Sequence, residues 1–464
     1  MTSSSSTPGE IPPTHRINLS LPPATRYAAI ARLYRPKLLT ITSLFDDLVL
    51  SVFPPSYLPR IKLLARLLLR RVYDDEENQE IRGIADTTGI DLYLVVALNV
   101  LLDLLMGCTS GAALSSPSEG QGGQRMLHFR TLDWDMPLLR QLLVKLEFVS
   151  SDAEDSPVLA TNITYVGFVG VLTGIRQGLS VSLNFRPNHD ASSWVKQVKY
   201  YGRLLLVLLG LKRSISSMLR QVVIPTKTGS QQGWLSWLGS RVFVWKRQEQ
   251  QTAAHQLSLS DTVSRIVRTP STACYLILCD GRSAYVLEKD YKTTKVESSS
   301  SFIVATNSDR AAKVPRATDP SMRQEHTGAS LTTGEPVVMA DFIKDSIERR
   351  ECMQAHWDMK VVQARQAARR AQARKDPLRR TRSSQKQTTA VSPSTAATTT
   401  ASADIFDPEV AATLDEIVTW TTRFPTTNEM THFTTIMDPT RGTVVWIRRY
   451  PEPLECDWDL TDFD

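Results

Sequence analysis

Cysteine is scarce in this chain. Five occur in 464 residues, at positions 108, 274, 279, 352 and 456. Their small number and wide scatter exclude a disulfide framework. No CxxC pair or Cys/His cluster is present, so no metal site and no cofactor are expected. Long apolar runs are also missing. No uncharged stretch reaches the ~18 residues that read as a spanning helix. The first ten residues, MTSSSSTPGE, have neither a basic n-region nor an apolar h-region, which is not the pattern of a secretory signal. A charge excess is absent outside one stretch. The chain has 54 basic and 48 acidic residues, and residues 349–386 hold 12 basic against 3 acidic, leaving 42 against 45 elsewhere. A body so nearly neutral lacks the field of a nucleic-acid binder, and nucleic acid is not an expected partner.

What is present is enough for a globular core: 42% hydrophobic and 22% charged residues, the balance of a folded protein with one large domain or two ordinary ones. Residues 1–10 are polar and expected to be disordered. Residues 11–107 read as mostly helical, with helices near Thr25, through Leu50, and over 61–72, 76–87 and 90–106, the last ending at Gly107. The exception is 17–21, which alternates like a strand before Pro22-Pro23 stops it. After Cys108 the pattern changes to short aliphatic and aromatic strands over 126–132, 143–148, 162–168 and 179–185, with Gly167, Gly170, Gly174 and Gly178 punctuating a hairpin. A helical insertion is expected near 187–267, with a loop at 226–233. Strands resume over 273–279, 284–287 and 302–306, closing a core region of 108–352. Residues 353–403 read as a basic and Ser/Thr-rich insertion. Residues 404–464 supply the closing strands, 430–437 and 443–449. Helices, strands, helices and strands in blocks make an α+β layered protein rather than an alternating βαβ one.

The chemistry centres on Cys108, in Met106-Gly107-Cys108-Thr109-Ser110. A small residue precedes it, and Arg130 and Asp133 follow about twenty residues on. Read alone, Cys108 is a buried structural cysteine after a core helix. Further segments lie in order along the chain: Ile17-Asn18-Leu19-Ser20-Leu21-Pro22-Pro23, Gly83-Ile84-Ala85, residues 94–99, the Gly-rich run 165–174, Leu183-Asn184, Thr306-Asn307-Ser308-Asp309, and Glu348-Arg349-Arg350. With these the chain resembles the acid ceramidase and N-acylethanolamine acid amidase family. It is more distantly similar to bile-salt hydrolase and penicillin V acylase.

The resemblance implies an N-terminal-nucleophile hydrolase: an αββα sandwich preceded by a helical small-subunit segment. It implies self-cleavage before Cys108, with the two fragments remaining associated. The freed α-amino group, of pKa about 7.7–8.0, then serves as base for a thiol of pKa about 8.5, so no histidine is needed. Arg130 would hold the thiolate and Asp133 would orient the ammonium group. Asn307 would donate to the tetrahedral oxyanion. Arg349 would supply positive charge across the site, although Arg350 fits that place equally from sequence. His128 reads as a packed strand residue and Asp135 as a turn residue.

The implied substrate is a fatty acyl amide lipid, ceramide above all. The alternatives are N-acylethanolamines or smaller N-acyl amides, or an inactive lipid-binding homologue. Phe185 stands where the family carries an acidic residue, which bears on headgroup preference. The basic insertion reads either as a solvated helix or as a contact with an anionic membrane. Trp234 and Trp237 form a small aromatic patch, read as buried or as an interfacial contact. The family works in lysosomes, whereas this N-terminus favours a cytoplasmic or peripheral-membrane location.

Overall fold

Two sheets packed face to face, and helices that cover their outer faces, set the architecture of the computed structural model. It describes residues 9–101, 107–117, 123–187, 189, 192–225, 257–311, 326–329, 336–375 and 410–454. The expectations for the first residues, the end of the helix over 90–106, the loop at 226–233, the Trp234/Trp237 patch and the Ser/Thr-rich linker lie outside the described residues.

The N-terminal segment runs through β1 (Thr14–Asn18), α1 (Pro23–Arg26), α2 (Ala28–Leu33), α3 (Arg35–Leu38), α4 (Ile41–Val52), α5 (Leu58–Leu68), α6 (Asp75–Thr88) and α7 (Leu92–Leu101). Next come β2 (Gly107–Ser115), β3 (Arg125–Asp133), α8 (Pro137–Arg140), β4 (Leu143–Val149), β5 (Ala160–Tyr165), β6 (Thr173–Arg176) and β7 (Leu179–Phe185). Helices α9 (Trp194–Leu208), α10 (Ile215–Val223) and α11 (Leu259–Arg268) precede β8 (Ser271–Cys279), β9 (Ala284–Tyr291), β10 (Thr293–Ser299) and β11 (Phe302–Ala305). The chain ends in the small ribbon β12 (His326–Ala329) and β13 (Pro336–Val338), then α12 (Met339–Lys375), α13 (Leu414–Thr422), β14 (Thr431–Asp438) and β15 (Thr443–Arg449).

One sheet has the order β1-β4-β5-β6-β7-β8-β9-β10 and the other β11-β2-β3-β14-β15. They pack face to face through β2 and β3 against β7, β8 and β9. Helices α9, α10 and α11 lie on the larger sheet, and α12 and α13 on the smaller. The layers are therefore helix, sheet, sheet, helix, in an α+β fold. Period-2 alternation sorts the smaller sheet's side chains. Ala112, Met126 and Ile303 enter the intersheet layer, while Ala113, Leu127, Phe129 and Val304 face the helices.

Gly107 opens β2, paired with Asp133. One sequence boundary shifts. The insertion does not begin at 353. Met353 and Trp357 are buried against Phe302 and Trp420, and Lys360 pairs with Glu416. Helix α12 is anchored over these turns before it continues to Lys375. The reason is amphipathicity: the apolar residues at 353 and 357 are spaced four apart, on one face.

The N-terminal segment is built into the body at several points. β1 pairs in parallel with β4. Asn99 of α7 donates to the Gly167 carbonyl and accepts from the Val169 amide, both at 2.8 Å, clamping the Gly-rich loop. Gly83 allows α6 to touch α1, since a Cβ there would lie 1.8 Å from the Ala24 carbonyl oxygen. Buried Arg26 pairs with Glu76 and Glu80, and buried Arg220 of α10 donates to Glu80 at 2.8 Å. Ser217 donates to Glu77 at 2.7 Å, and Arg213 reaches Asp74 at 3.1 Å.

Burial raises the Glu77 carboxyl to about 7 even with Arg220 nearby. The folded protein thus binds a proton that the unfolded chain releases. This contribution to stability is complete below about pH 4.5 and is lost as pH rises through about 7. Glu77→Gln keeps an acceptor for Ser217 without the charge. Its melting temperature should fall less than wild type between about pH 5 and about pH 8. Parallel melting curves for the two proteins across that range would refute the assignment.

Candidate active site

The site forms where the N-terminal end of β2 meets the C-terminal end of β3. The two strands are antiparallel, so Gly107 lies opposite Asp133 and Cys108 opposite Leu132. Glycine suits position 107: a Cβ would lie 3.2 Å from the Asp133 carbonyl oxygen and 3.3 Å from its Cβ. Alternation turns Cys108 and Ser110 toward the larger sheet, where Leu183 and Asn184 of β7 receive them.

Arg130 points the same way and is fully buried. Its Nη2 lies 3.2 Å from the Cys108 sulfur. Its Nη1 donates to the Leu183 carbonyl at 2.8 Å and to Asn184 Oδ1 at 3.1 Å. Ser110 also donates to Asn184 Oδ1, and the Asn184 amide donates to the carbonyls of Ala305 and Thr306. Asn184 therefore fixes the guanidinium that faces the thiol.

Three residues on, Asp133 faces the opposite side of its strand, toward α12. There Arg349 donates to Asp133 Oδ2 at 2.6 Å and to Asn307 Oδ1 at 3.2 Å. Thr431 donates to Asp133 Oδ1 at 2.7 Å. Asn307 Oδ1 accepts the Cys108 backbone N–H at 2.7 Å, and its amide nitrogen donates to the Phe185 carbonyl at 2.8 Å. The chain of contacts runs from Asp133 through Arg349 and Asn307 to the Cys108 nitrogen. Asn307 was expected as an oxyanion donor. The structure places its side-chain carbonyl oxygen on the Cys108 nitrogen. Ser346, one turn before Arg349 on α12, supports the loop by accepting the Asn307 N–H at 2.8 Å.

The pair Arg349 and Arg350 is separated by geometry. Arg350 donates to the Asp309 carbonyl at 2.7 Å and to Ser308, away from Asp133. Consecutive helical residues are about 100° apart, so only one of the two reaches Asp133.

Burial dominates the electrostatics. It pushes the Cys108 thiol up to about 11, with Arg130 opposing. It also raises the Asp133 carboxyl, with Arg349 and Thr431 opposing. Burial, then the Arg130 charge, lowers His128 to about 3. Its ring nitrogens lie 2.8 and 2.9 Å from the hydroxyls of Ser180 and Ser182, so His128 is a neutral cross-link between sheets. Asp135 lies in the bend before α8. Phe185 packs 6.4 Å from Phe342, centroid to centroid. Beside it, Arg186 grips both Asp309 oxygens, at 2.8 and 2.9 Å.

Sequence reasoning did not assign roles to Ser110, Ser346 and Thr431. Ser346 carried a usable signal, since it lies three residues before Arg349 and so on the same helix face. Among the described residues no group of three or more His, Cys, Asp or Glu side chains is arranged to hold a metal. No helix among them is long and apolar enough to cross a membrane.

Comparison with known proteins sets this geometry in context. The family model for the beta subunit of N-acylethanolamine-hydrolyzing acid amidase matches residues 10–73. Mouse acid ceramidase is 30% identical over 191 residues, covering 38% of this chain and 45% of the relative. The Caenorhabditis elegans N-acylethanolamine-hydrolyzing acid amidase is 29% identical over 193 residues, covering 38% and 49%. Over these stretches the chain is similar to the acid ceramidase and N-acylethanolamine acid amidase family. These matches span less than half the length of the curated family members. The match over 10–73 runs from β1 through α5 and leaves Cys108 outside it. A solved structure of a C. elegans ortholog of the amidase aligns with 72% of this chain and 93% of its own, at 17% identity and a TM-score of 0.38.

Proposed function

We propose that this chain is a self-processing cysteine amidase that hydrolyses N-acyl lipids, ceramide first among them. One observation carries the reading. A cysteine preceded by glycine has its sulfur 3.2 Å from a buried arginine and its backbone nitrogen 2.7 Å from an asparagine that the Arg349–Asp133 pair holds. A structural cysteine requires no such arrangement around its nitrogen.

In the first stage the Cys108 sulfur attacks the Gly107 carbonyl carbon. The C–N bond breaks, the acyl group passes to sulfur, and the nitrogen gains the thiol proton. Water then hydrolyses the thioester and leaves Cys108 with a free α-amino group. In the second stage that amine takes the thiol proton, and the thiolate attacks the substrate amide. The ammonium returns the proton to the departing amine, and water releases the fatty acid from the second thioester. A thiol with pKa near 11 has almost no thiolate at neutral pH, so a base on the same residue answers a real requirement. Arg130 stabilises the thiolate as it forms. Asn307 keeps one N–H of the amine, so its lone pair is free to face the sulfur.

The two fragments remain together in this reading, because β1 hydrogen-bonds within the larger sheet and the Arg220–Glu80 pair crosses between them. An anionic membrane is the proposed source of substrate. Leu63 and Leu67 on α5 and Trp194 and Val198 on α9 are exposed, with Lys62, Arg66, Lys196 and Lys199 on the same helices.

The test is hydrolysis by the processed protein of ceramide, an N-acylethanolamine and short-chain N-acyl amides, presented in anionic vesicles and in detergent. Long-chain substrates should release fatty acid faster than short ones, and vesicles should favour the reaction. Equal or faster turnover of the short soluble amides would move the assignment away from lipids.

A further inference from the structure

The start of β14 makes three consecutive contacts with the end of β3. The Met430 carbonyl accepts the Trp134 N–H at 2.8 Å. Thr431 donates to Asp133 at 2.7 Å. His432 Nε2 lies 2.9 Å from the Trp134 carbonyl. A carbonyl only accepts, so Nε2 carries the proton and Nδ1 is the acceptor. The Tyr165 hydroxyl, 2.8 Å away, therefore donates to Nδ1. Burial and the Arg140 charge hold His432 neutral, which keeps this tautomer in place.

We infer that Thr431 is a positioning residue for Asp133, and that the Tyr165–His432 clamp on Trp134 keeps Thr431 and Asp133 in register. A carboxylate held at one oxygen can still rotate. Here Arg349 takes Oδ2 and Thr431 takes Oδ1, so the plane of the group is set. That plane decides where Arg349 stands, and Arg349 in turn holds the Asn307 oxygen that binds the Cys108 nitrogen. The contact joins residues 298 apart in sequence. The charged groups whose fields act on Asp133 are Arg349 from α12, Arg140 from α8 and, from the other face of its own strand, Arg130. The Cys108 thiol lies on β2 beside them. The Thr431 hydrogen bond favours the ionised carboxylate, so its loss raises the pH at which Asp133 takes up a proton. This inference rests on the amidase reading.

The experiment compares wild type with Thr431→Val and Thr431→Ser for cleaved fraction, kcat, KM and the pH profile of kcat/KM on an N-acyl amide. It adds a thermal double-mutant cycle of Thr431→Val with Asp133→Ala. Thr431→Val should lower kcat about 10-fold with KM little changed, and move the acid limb of the profile up by about one pH unit. Thr431→Ser should restore both. The stability cost of Thr431→Val should shrink when Asp133 is absent, because the two residues are coupled. A Thr431→Val profile matching wild type, or Thr431→Ser as impaired as Thr431→Val, overturns the inference. If wild type neither cleaves itself nor hydrolyses amides, the amidase reading fails separately. The cycle then decides the contact, and strictly additive stabilities overturn it.

Discussion

Cys108→Ala should remain one chain of 464 residues and release no fatty acid, while wild type separates under denaturing conditions into pieces of 107 and 357 residues. The expected effect is total because one atom serves both stages. Without the sulfur the Gly107 carbonyl has no nucleophile, the Cys108 nitrogen stays an amide, and no base is generated. The fold should survive. The change removes a single buried sulfur, and core truncations of that size cost about 1 kcal/mol. The larger wild-type fragment should begin Cys-Thr-Ser on N-terminal sequencing. A different new N-terminus in active protein, or a cleaved Cys108→Ala chain, would refute self-processing by this residue.

Arg349→Ala should abolish hydrolysis, and Arg350→Ala should leave most of it. Arg349 neutralises a carboxylate that is almost completely buried, and Thr431 is the other hydrogen-bond donor recorded at that carboxylate. Removing one partner of a buried ion pair costs roughly 3–5 kcal/mol, so Arg349→Ala should also melt earlier than wild type. The freed Asp133 relieves its burial by binding a proton, and Asn307 loses the guanidinium that fixes its oxygen. Arg350 instead caps the 308–309 loop. Cleavage must be scored first for each variant, since an unprocessed chain is inactive for another reason. An Arg349→Ala protein with wild-type kcat, or an Arg350→Ala protein as inert as Arg349→Ala, would reverse the roles given to the two arginines.

Much of the site was legible in the chain because its parts are local. Gly107 and Cys108 are adjacent, and Arg130 and Asp133 share one strand. Residues three apart in a strand fall on opposite faces, and these two face the two sides of β3: Arg130 toward β7, Asp133 toward α12. The helical N-terminal segment, the strand character after Cys108 and the α+β class follow from apolar periodicity and glycine placement, which short windows carry.

What only the tertiary structure decided depends on pairs far apart in sequence. Helix periodicity says that Arg349 and Arg350 point in different directions, but not which direction holds Asp133. That depends on how α12 docks through Met353 and Trp357. The same packing moved the edge of the insertion from 353 to beyond 360, because Ala- and Arg-rich composition hides two apolar anchors. Thr431 carried no local signal at all. It reads as one more residue in a β-branched strand, and its hydroxyl acquires a role only when β14 pairs with β3 in the register that sets it opposite Asp133. The direction of the Asn307 carboxamide is likewise a property of the assembled site. An asparagine both donates and accepts, and which end meets Cys108 is settled by the Phe185 carbonyl on one side and the Arg349 guanidinium on the other.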